Sequence, residues 1–128
     1  MANRIRTPGP LHPITLEPTP GRVVVRVGGR VVADSTSAMT LREAAYSPVQ
    51  YIPLADVDQS VLRPSSHQTY CPYKGEASYY SLAVKHPDSG EVEEIADAVW
   101  TYTDPYDAVD RIASHVAFYP DRVEVTVE

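Results

Sequence analysis

The chain has 128 residues, 43% of them hydrophobic, a formal net charge of −6 and a single cysteine. This length and composition predict one globular domain and exclude a disordered chain, while the lone cysteine excludes an internal disulfide. The eleven Lys and Arg residues form no basic run, so we expect no nucleic-acid partner. Because no stretch of about 18 apolar residues is present, we expect a cytoplasmic protein with no membrane partner.

The first 20 residues carry five prolines, which forbid a helix and disfavour a central strand. We therefore expect a flexible tail over residues 1–11 and a single domain over residues 12–128. The clearest element follows at residues 22–33. Valines alternate with other side chains up to the Gly28-Gly29 pair, and β-rich residues resume directly after it. Two such runs around a pair of glycines predict a β-hairpin.

The middle of the chain is less regular. Residues 35–45 fit either a strand or a weak helix, and residues 49–52 predict a short strand that ends at Pro53. Residues 54–62 suggest a helical turn followed by an extended piece, and residues 64–68 are expected to form a loop.

The segment Cys71-Pro72-Tyr73-Lys74-Gly75, called the 71–75 turn below, is a predicted chain reversal marked by its proline and glycine. The elements expected after it are a strand at 77–84, a return strand at 95–102, a helix at 106–114 with Asp104 as N-cap, and a strand at 122–127. The whole pattern predicts a mainly β class: one small domain of several short strands in a curved multi-sheet or barrel-like arrangement, with one or two short helices.

Several segments together resemble the family known as domain of unknown function 427. The most specific are residues 69–79, which contain the 71–75 turn, and His115-Val116-Ala117-Phe118-Tyr119. The resemblance implies a small, largely β domain of multi-sheet topology and brings no established function. Some members carry a nucleotidyltransferase-type label. Pro120 stands where the resemblance implies an aromatic residue, and Tyr80 where it implies a tryptophan.

The 71–75 turn also holds the candidate catalytic residues. A cysteine becomes a nucleophile as the thiolate, which a neighbouring Lys or protonated His favours. Lys74 follows Cys71 by three residues and His67 precedes it by four, so these three could form a Cys–His or Cys–Lys pair. The alternative is that Cys71 is a small buried hydrophobic residue at a strand end.

Two further kinds of chemistry have weaker sequence support. His67 and Cys71 would supply only two of the four ligands of a structural zinc site, so no metal and no cofactor is expected. Two-metal phosphoryl chemistry needs converging carboxylates, which Asp56 and Asp58 would offer from an extended segment. However, no phosphate-binding glycine loop precedes them.

Aromatic residues recur in the segments that look most motif-like, as expected of a small-molecule pocket or of a β core. The predicted ligand-binding residues are Tyr51, Tyr73, Tyr79, Trp100, Tyr102, His115, Tyr119 and Arg122. We therefore predict a domain that binds a small molecule in a tyrosine-rich pocket beside the 71–75 turn, with a cysteine-assisted enzyme as one version of this hypothesis. The alternatives are a non-catalytic protein-interaction or assembly module and, more remotely, a nucleotidyltransferase. The protein is expected to be a monomer or a homodimer.

Overall fold

The computed structural model describes residues 5–128, which form ten β-strands and three short 3₁₀ helices. The strands are β1 (Ile14–Pro18), β2 (Val23–Val27), β3 (Arg30–Ser35), β4 (Met39–Glu43), β5 (Val49–Pro53), β6 (Leu62–Cys71), β7 (Gly75–Lys85), β8 (Val92–Thr101), β9 (His115–Phe118) and β10 (Glu124–Val127). The 3₁₀ helices span Leu54–Asp56, Gln59–Val61 and Asp107–Ile112. Among these residues no helix is long and apolar enough to cross a membrane. The predicted mainly β class is confirmed.

The strands form two antiparallel sheets. The larger sheet has seven strands in the order β1-β4-β5-β9-β8-β7-β6 and is curled into a half-barrel. The smaller sheet has the order β10-β2-β3 and contains the predicted hairpin. Its turn uses φ angles of 55° at Gly28 and 84° at Gly29, the positive values that a tight two-residue hairpin requires.

Side chains on the larger sheet enter two separate hydrophobic clusters, because neighbouring residues of a strand point to opposite faces. Ile52 and Phe118 pack in one cluster with valines of the smaller sheet. Tyr51 and Ala117, their immediate neighbours, belong to the second cluster, on the opposite face. The second cluster also contains buried residues of the Asp107–Ile112 helix. The curled sheet therefore has a core on each face, and its aromatic residues concentrate on the side away from the smaller sheet.

The predicted loop at residues 64–68 is wrong, because β6 runs through it with a break in register between Pro64 and Gln68. A proline cannot donate a ladder hydrogen bond, so an edge strand with an irregularity is the place that tolerates it. The Ser65 hydroxyl bonds the Asp97 carboxylate, and Asp97 has a φ of 51° at a second irregularity in β8. This contact joins the two breaks in register.

Other boundaries differ from expectation in smaller ways. The ambiguous segment at 35–45 contains a strand, β4. The helix expected at 106–114 is the 3₁₀ helix Asp107–Ile112, and the predicted N-cap Asp104 does not cap it: Tyr106 holds that position and makes no capping side-chain bond. The predicted tail at residues 1–11 lies partly outside the described residues and stays a prediction, as does the single domain over 12–128. Within the predicted tail, the Arg6 N–H donates to the Pro72 carbonyl at 2.7 Å.

Candidate functional site

The 71–75 turn connects β6 to β7 and places Lys74 in the interior. The Lys74 N–H donates to the Cys71 carbonyl at 3.2 Å, and Gly75 has a φ of 112°, a value that favours glycine because it has no Cβ. The Tyr106 N–H donates to the Lys74 carbonyl at 3.0 Å, so the turn is docked against the segment before the last 3₁₀ helix. As a result the Lys74 side chain is only 10% exposed.

The Lys74 ammonium forms an ion pair with Glu43, the last residue of β4. The other carboxylate oxygen of Glu43 lies 2.7 Å from His12 Nε2. The His12 ring in turn stacks on Tyr73 with 4.0 Å between ring centroids. Both oxygens of a mostly buried carboxylate therefore have partners, which is what a buried charge needs. Each of these two partners is 31 residues from Glu43 in sequence.

The charge of Glu43 is maintained against its burial. Burial raises the pKa of this carboxyl, but the hydrogen bonds from Lys74 and His12 more than offset that effect, so its pKa is lowered. Glu43 is consequently the negative partner of a neutral pair at ordinary pH. The Lys74 ammonium also lies 6.0 Å from the centroid of the Tyr102 ring, within cation–π range.

Aromatic side chains form the walls of a cavity of about 180 Å³ above this pair. Its aromatic lining residues are Tyr46, Tyr51, Tyr79, Trp100, Tyr102 and Tyr119. The Trp100 indole N–H donates to the Tyr51 hydroxyl at 3.2 Å, and the Tyr79 and Tyr119 hydroxyls lie 3.4 Å apart. We call this cavity, with Glu43 and Lys74 in its lining, the tyrosine pocket.

Two hydroxyl groups of the tyrosine pocket have a proton to donate and no acceptor among residues 5–128. The Tyr102 side chain is 6% exposed and lines the cavity, and its hydroxyl makes no hydrogen bond to residues 5–128. Because no polar side-chain atom among these residues is sealed without a partner, this hydroxyl is accessible. The Tyr51 hydroxyl accepts from Trp100 but donates to no described group. Burial raises the pKa of both phenols, so both remain protonated donors. The pocket thus offers hydrogen bonds to an acceptor atom.

The predicted ligand-binding residues divide into two groups. Five of the eight line the tyrosine pocket. Tyr73 does not line it, but its ring stacks on His12, which contacts Glu43. His115 and Arg122 do not line it. The His115 Nδ1 lies 2.8 Å from the Ala113 carbonyl, and Arg122 is exposed on the turn after β9. Strand β9 begins at His115, so the imidazole ring contacts the backbone just before the strand and not the tyrosine pocket.

The three predicted catalytic residues have different surroundings. Lys74 lines the tyrosine pocket, whereas Cys71 is half-buried against the second hydrophobic cluster. His67 is exposed on β6, and its ring lies 4.5 Å from the ring of Tyr79. Within residues 5–128 no hydrogen bond joins the Cys71 thiol to His67 or to the Lys74 ammonium. Cys71 therefore packs beside tyrosines that line the same pocket as Lys74, whereas His67 lies at the break in register of β6.

A family model described as a domain of unknown function, DUF427, matches residues 15–128. The chain belongs to the DUF427 family. The match includes β1 to β10 apart from the first residue of β1, so the tyrosine pocket is built largely from the DUF427 region. His12 lies before the matched region. No curated protein matches the chain.

The family model carries a nucleotidyltransferase-type name, so the carboxylates that such chemistry needs are of interest in this DUF427 chain. Asp56 accepts from the Ser35 hydroxyl at 2.6 Å. Asp58 caps the Gln59–Val61 helix and accepts from Arg30 at 2.7 Å. Both side chains thus have structural partners that join loops to β3. Among the residues described, no three His, Cys, Asp or Glu side chains converge as a metal site would require.

Sequence reasoning missed two polar residues of this DUF427 site, Glu43 and His12. Glu43 lies in a segment that fits strand or helix equally well, and His12 has no ligand-like spacing to another histidine. Glu43, the common partner of His12 and Lys74, is 31 residues from each of them in sequence. No local pattern links positions so far apart, and a buried carboxylate of this kind becomes visible only when β1, β4 and the 71–75 turn are placed together.

Proposed function

We propose that this DUF427 domain binds a small, uncharged, ring-containing molecule in the tyrosine pocket, through an oxygen atom that accepts hydrogen bonds. The observation that carries the proposal is the hydroxyl of Tyr102: it belongs to a 6% exposed side chain that lines the cavity, and it has no acceptor among residues 5–128. Polar groups in protein interiors normally have a hydrogen-bond partner in the protein or in ordered water. A ligand oxygen would supply the acceptor that is missing here.

The shape and lining of the pocket support a small aromatic ligand. Flat aromatic walls favour a planar ring, and a few placed polar groups orient it. The cavity volume of about 180 Å³ is below the range of about 300–1,000 Å³ that is usual for drug-sized ligands. The molecule, or the part of it that this pocket holds, is therefore small.

The electrostatics support an uncharged ligand. Glu43 and Lys74 already neutralise each other, and both Glu43 oxygens are engaged. An organic cation would find a carboxylate with no free oxygen, although the aromatic walls alone attract cations. An anion would meet the same conditions that raise the pKa of Tyr51 and Tyr102, where burial penalises a negative charge. A carbonyl or amide oxygen avoids both penalties.

Catalysis by Cys71 has less support than binding. The thiol packs among side chains of the second cluster, and neither His67 nor the Lys74 ammonium hydrogen-bonds to it within residues 5–128. Lys74 is the better-placed reactive group, because it lines the cavity. Its amine is paired with Glu43 as a hydrogen-bond donor, which fits orientation of a ligand oxygen.

Three ring compounds of nearly equal shape test the proposal: benzamide, benzoate and benzylammonium. Trp100 is the only tryptophan of the chain and lines the pocket, so its fluorescence reports binding and calorimetry gives the Kd. We expect benzamide to bind most tightly. If benzylammonium binds more tightly than benzamide, the natural ligand is a cation and not a hydrogen-bond acceptor. If none of the three compounds binds, the proposal is wrong.

A pair of single-atom variants tests the role of the hydroxyl. Tyr102→Phe removes only the unpaired donor and is expected to weaken benzamide binding about fivefold, the effect of one hydrogen bond. Tyr80→Phe is the matched control, because Tyr80 is also partly buried but packs on the opposite face of the sheet, away from the tyrosine pocket. Equal losses in both variants would contradict the assignment.

A further inference from the structure

A second cavity, of about 260 Å³, lies between the curled sheet and the smaller sheet. Its walls include Ile52 of β5, Phe118 of β9 and Val125 of β10, with Pro48 and Pro120 from the adjoining turns. We call it the apolar cavity. It is the larger of the two spaces, although no predicted site residue except Trp100 lines it.

The apolar cavity has little polar chemistry of its own. Among its lining residues, Ser47, Gln50 and Trp100 are those with a polar atom in the side chain. The Gln50 amide oxygen already accepts from Thr19 at 2.6 Å, and the Trp100 N–H is donated to Tyr51. An occupant of this cavity would therefore be held by apolar burial and dispersion, which suit an alkyl chain or an unsubstituted ring.

The two cavities share three lining residues, Ser47, Val49 and Trp100. The Trp100 indole lines both spaces, and its N–H donates to the Tyr51 hydroxyl. Ser47 also lines both spaces and is exposed. Ser47 is therefore the surface point at which a chain attached to a ligand in the tyrosine pocket would reach the apolar cavity.

We infer that the ligand is amphipathic: its polar ring occupies the tyrosine pocket and an apolar chain extends over Ser47 into the apolar cavity. This inference rests on the proposed function, since the chain is positioned by the head that the tyrosine pocket holds. It explains why a pocket too small for an ordinary ligand adjoins a larger space with a mostly apolar lining. The ligand class is an aryl amide or ketone that carries an alkyl chain of several carbons.

The experiment compares benzamide with its 3-butyl, 4-butyl and N-butyl derivatives, because the exit direction of the chain selects one attachment point. Each buried methylene is worth about a fourfold gain in affinity. We therefore expect the best butyl isomer to bind at least about tenfold more tightly than benzamide. If benzamide binds and none of the three isomers binds more tightly, the inference is wrong while the proposed function stands. If none of the four compounds binds, both fail.

A filling variant locates the chain. Val125→Phe adds volume to the wall of the apolar cavity that the smaller sheet provides, and is expected to abolish the gain from the butyl chain with benzamide binding unchanged. Val127→Phe is the control: it changes the same strand on the same face, where the side chain is exposed and lines neither cavity. An undiminished gain in a folded Val125→Phe protein would overturn the inference. The comparison of benzamide with its butyl derivatives needs no variant, and it decides the question if Val125→Phe does not fold.

Discussion

Two turns of this protein each contain a glycine with a positive φ angle and differ in use. The Gly28-Gly29 turn closes the hairpin of the smaller sheet, and a Cβ on Gly29 would meet open space. The 71–75 turn also joins adjacent antiparallel strands, but Gly75 lies against the backbone of Asp104 and Lys74 extends into the tyrosine pocket. The first turn reverses the chain; the second also holds a charged side chain in the interior.

The difference teaches that a turn acquires a functional role from what packs against it. Both turns rely on positive φ angles at glycine, so their local physics is similar. Among residues 5–128, the 71–75 turn is hydrogen-bonded to another segment through the Tyr106 N–H and the Lys74 carbonyl, whereas Gly28 packs against the His86 ring. Changes at the two turns should therefore have different consequences for stability and for ligand binding, and four experiments measure that difference.

Replacement of the interior cation should have the largest effect. Lys74→Met keeps the length of the side chain and leaves Glu43 without its ammonium in a mostly buried position. We expect a loss of about 3 kcal/mol in the free energy of unfolding at pH 7, because removal of one partner of a buried pair strands the other charge. Urea denaturation measures it. The double variant with Glu43→Gln should be less destabilised than Lys74→Met alone, and a double variant that is worse would contradict the ion-pair interpretation.

Acid should weaken the same ion pair without a mutation, and by less than Lys74→Met. The folded-state pKa of Glu43 is lowered from its ordinary value of 4.5. Its stabilising contribution is therefore complete above that ordinary value and is lost as the pH falls through the lowered folded-state pKa. The stability difference between the wild type and Glu43→Gln should shrink across this acid range, as followed by urea denaturation at each pH. A constant difference would argue against a charged Glu43.

Gly75→Ala should have an intermediate effect. The φ of 112° at this position is strained for any residue with a Cβ, which costs about 2 kcal/mol. Because Lys74 precedes it directly, the strain should also displace the ammonium and weaken binding of benzamide. Thermal unfolding and calorimetry measure the two losses. Normal benzamide binding in a destabilised Gly75→Ala protein would show that the turn and the pocket are independent.

Gly29→Ala should have the smallest effect. Its φ of 84° also disfavours a Cβ, at a cost of about 1 kcal/mol, but the added methyl group meets no atom within 4 Å. Benzamide binding should be unchanged, because the turn does not line the tyrosine pocket. A loss of binding comparable to that of Gly75→Ala would remove the distinction between the two turns.

Much of the fold was predictable because its signals are local. The alternation of valines and the Gly28-Gly29 pair predict a hairpin that the structure contains. The strand through Ala77 to Val84 was also expected and is longer by a few residues, as β7. Residues 64–68 were predicted as a loop, because a proline usually interrupts a sheet. The sequence does not show that β6 is an edge strand with a break in register, which tolerates Pro64.

The candidate site was predictable only in part. Aromatic side chains in motif-like segments indicated a pocket, and five of the predicted residues line one. Cys71, His67 and Lys74 are close in sequence, but within residues 5–128 no hydrogen bond joins the Cys71 thiol to either partner. Cys71 packs in the aromatic cluster, Lys74 pairs with Glu43 and His67 is exposed. Proximity in sequence therefore does not specify which side chains of a turn and its strand pair with one another.

The sequence by itself determined the mainly β class, the hairpin turn and the 71–75 turn, since these depend on alternation and on the backbone freedom of glycine. Only the tertiary structure decided which charged groups meet. Glu43 joins His12 and Lys74 because β4, the segment before β1 and the 71–75 turn come together around one pocket. A buried carboxylate needs partners that surround it in space, and no rule of sequence spacing specifies them.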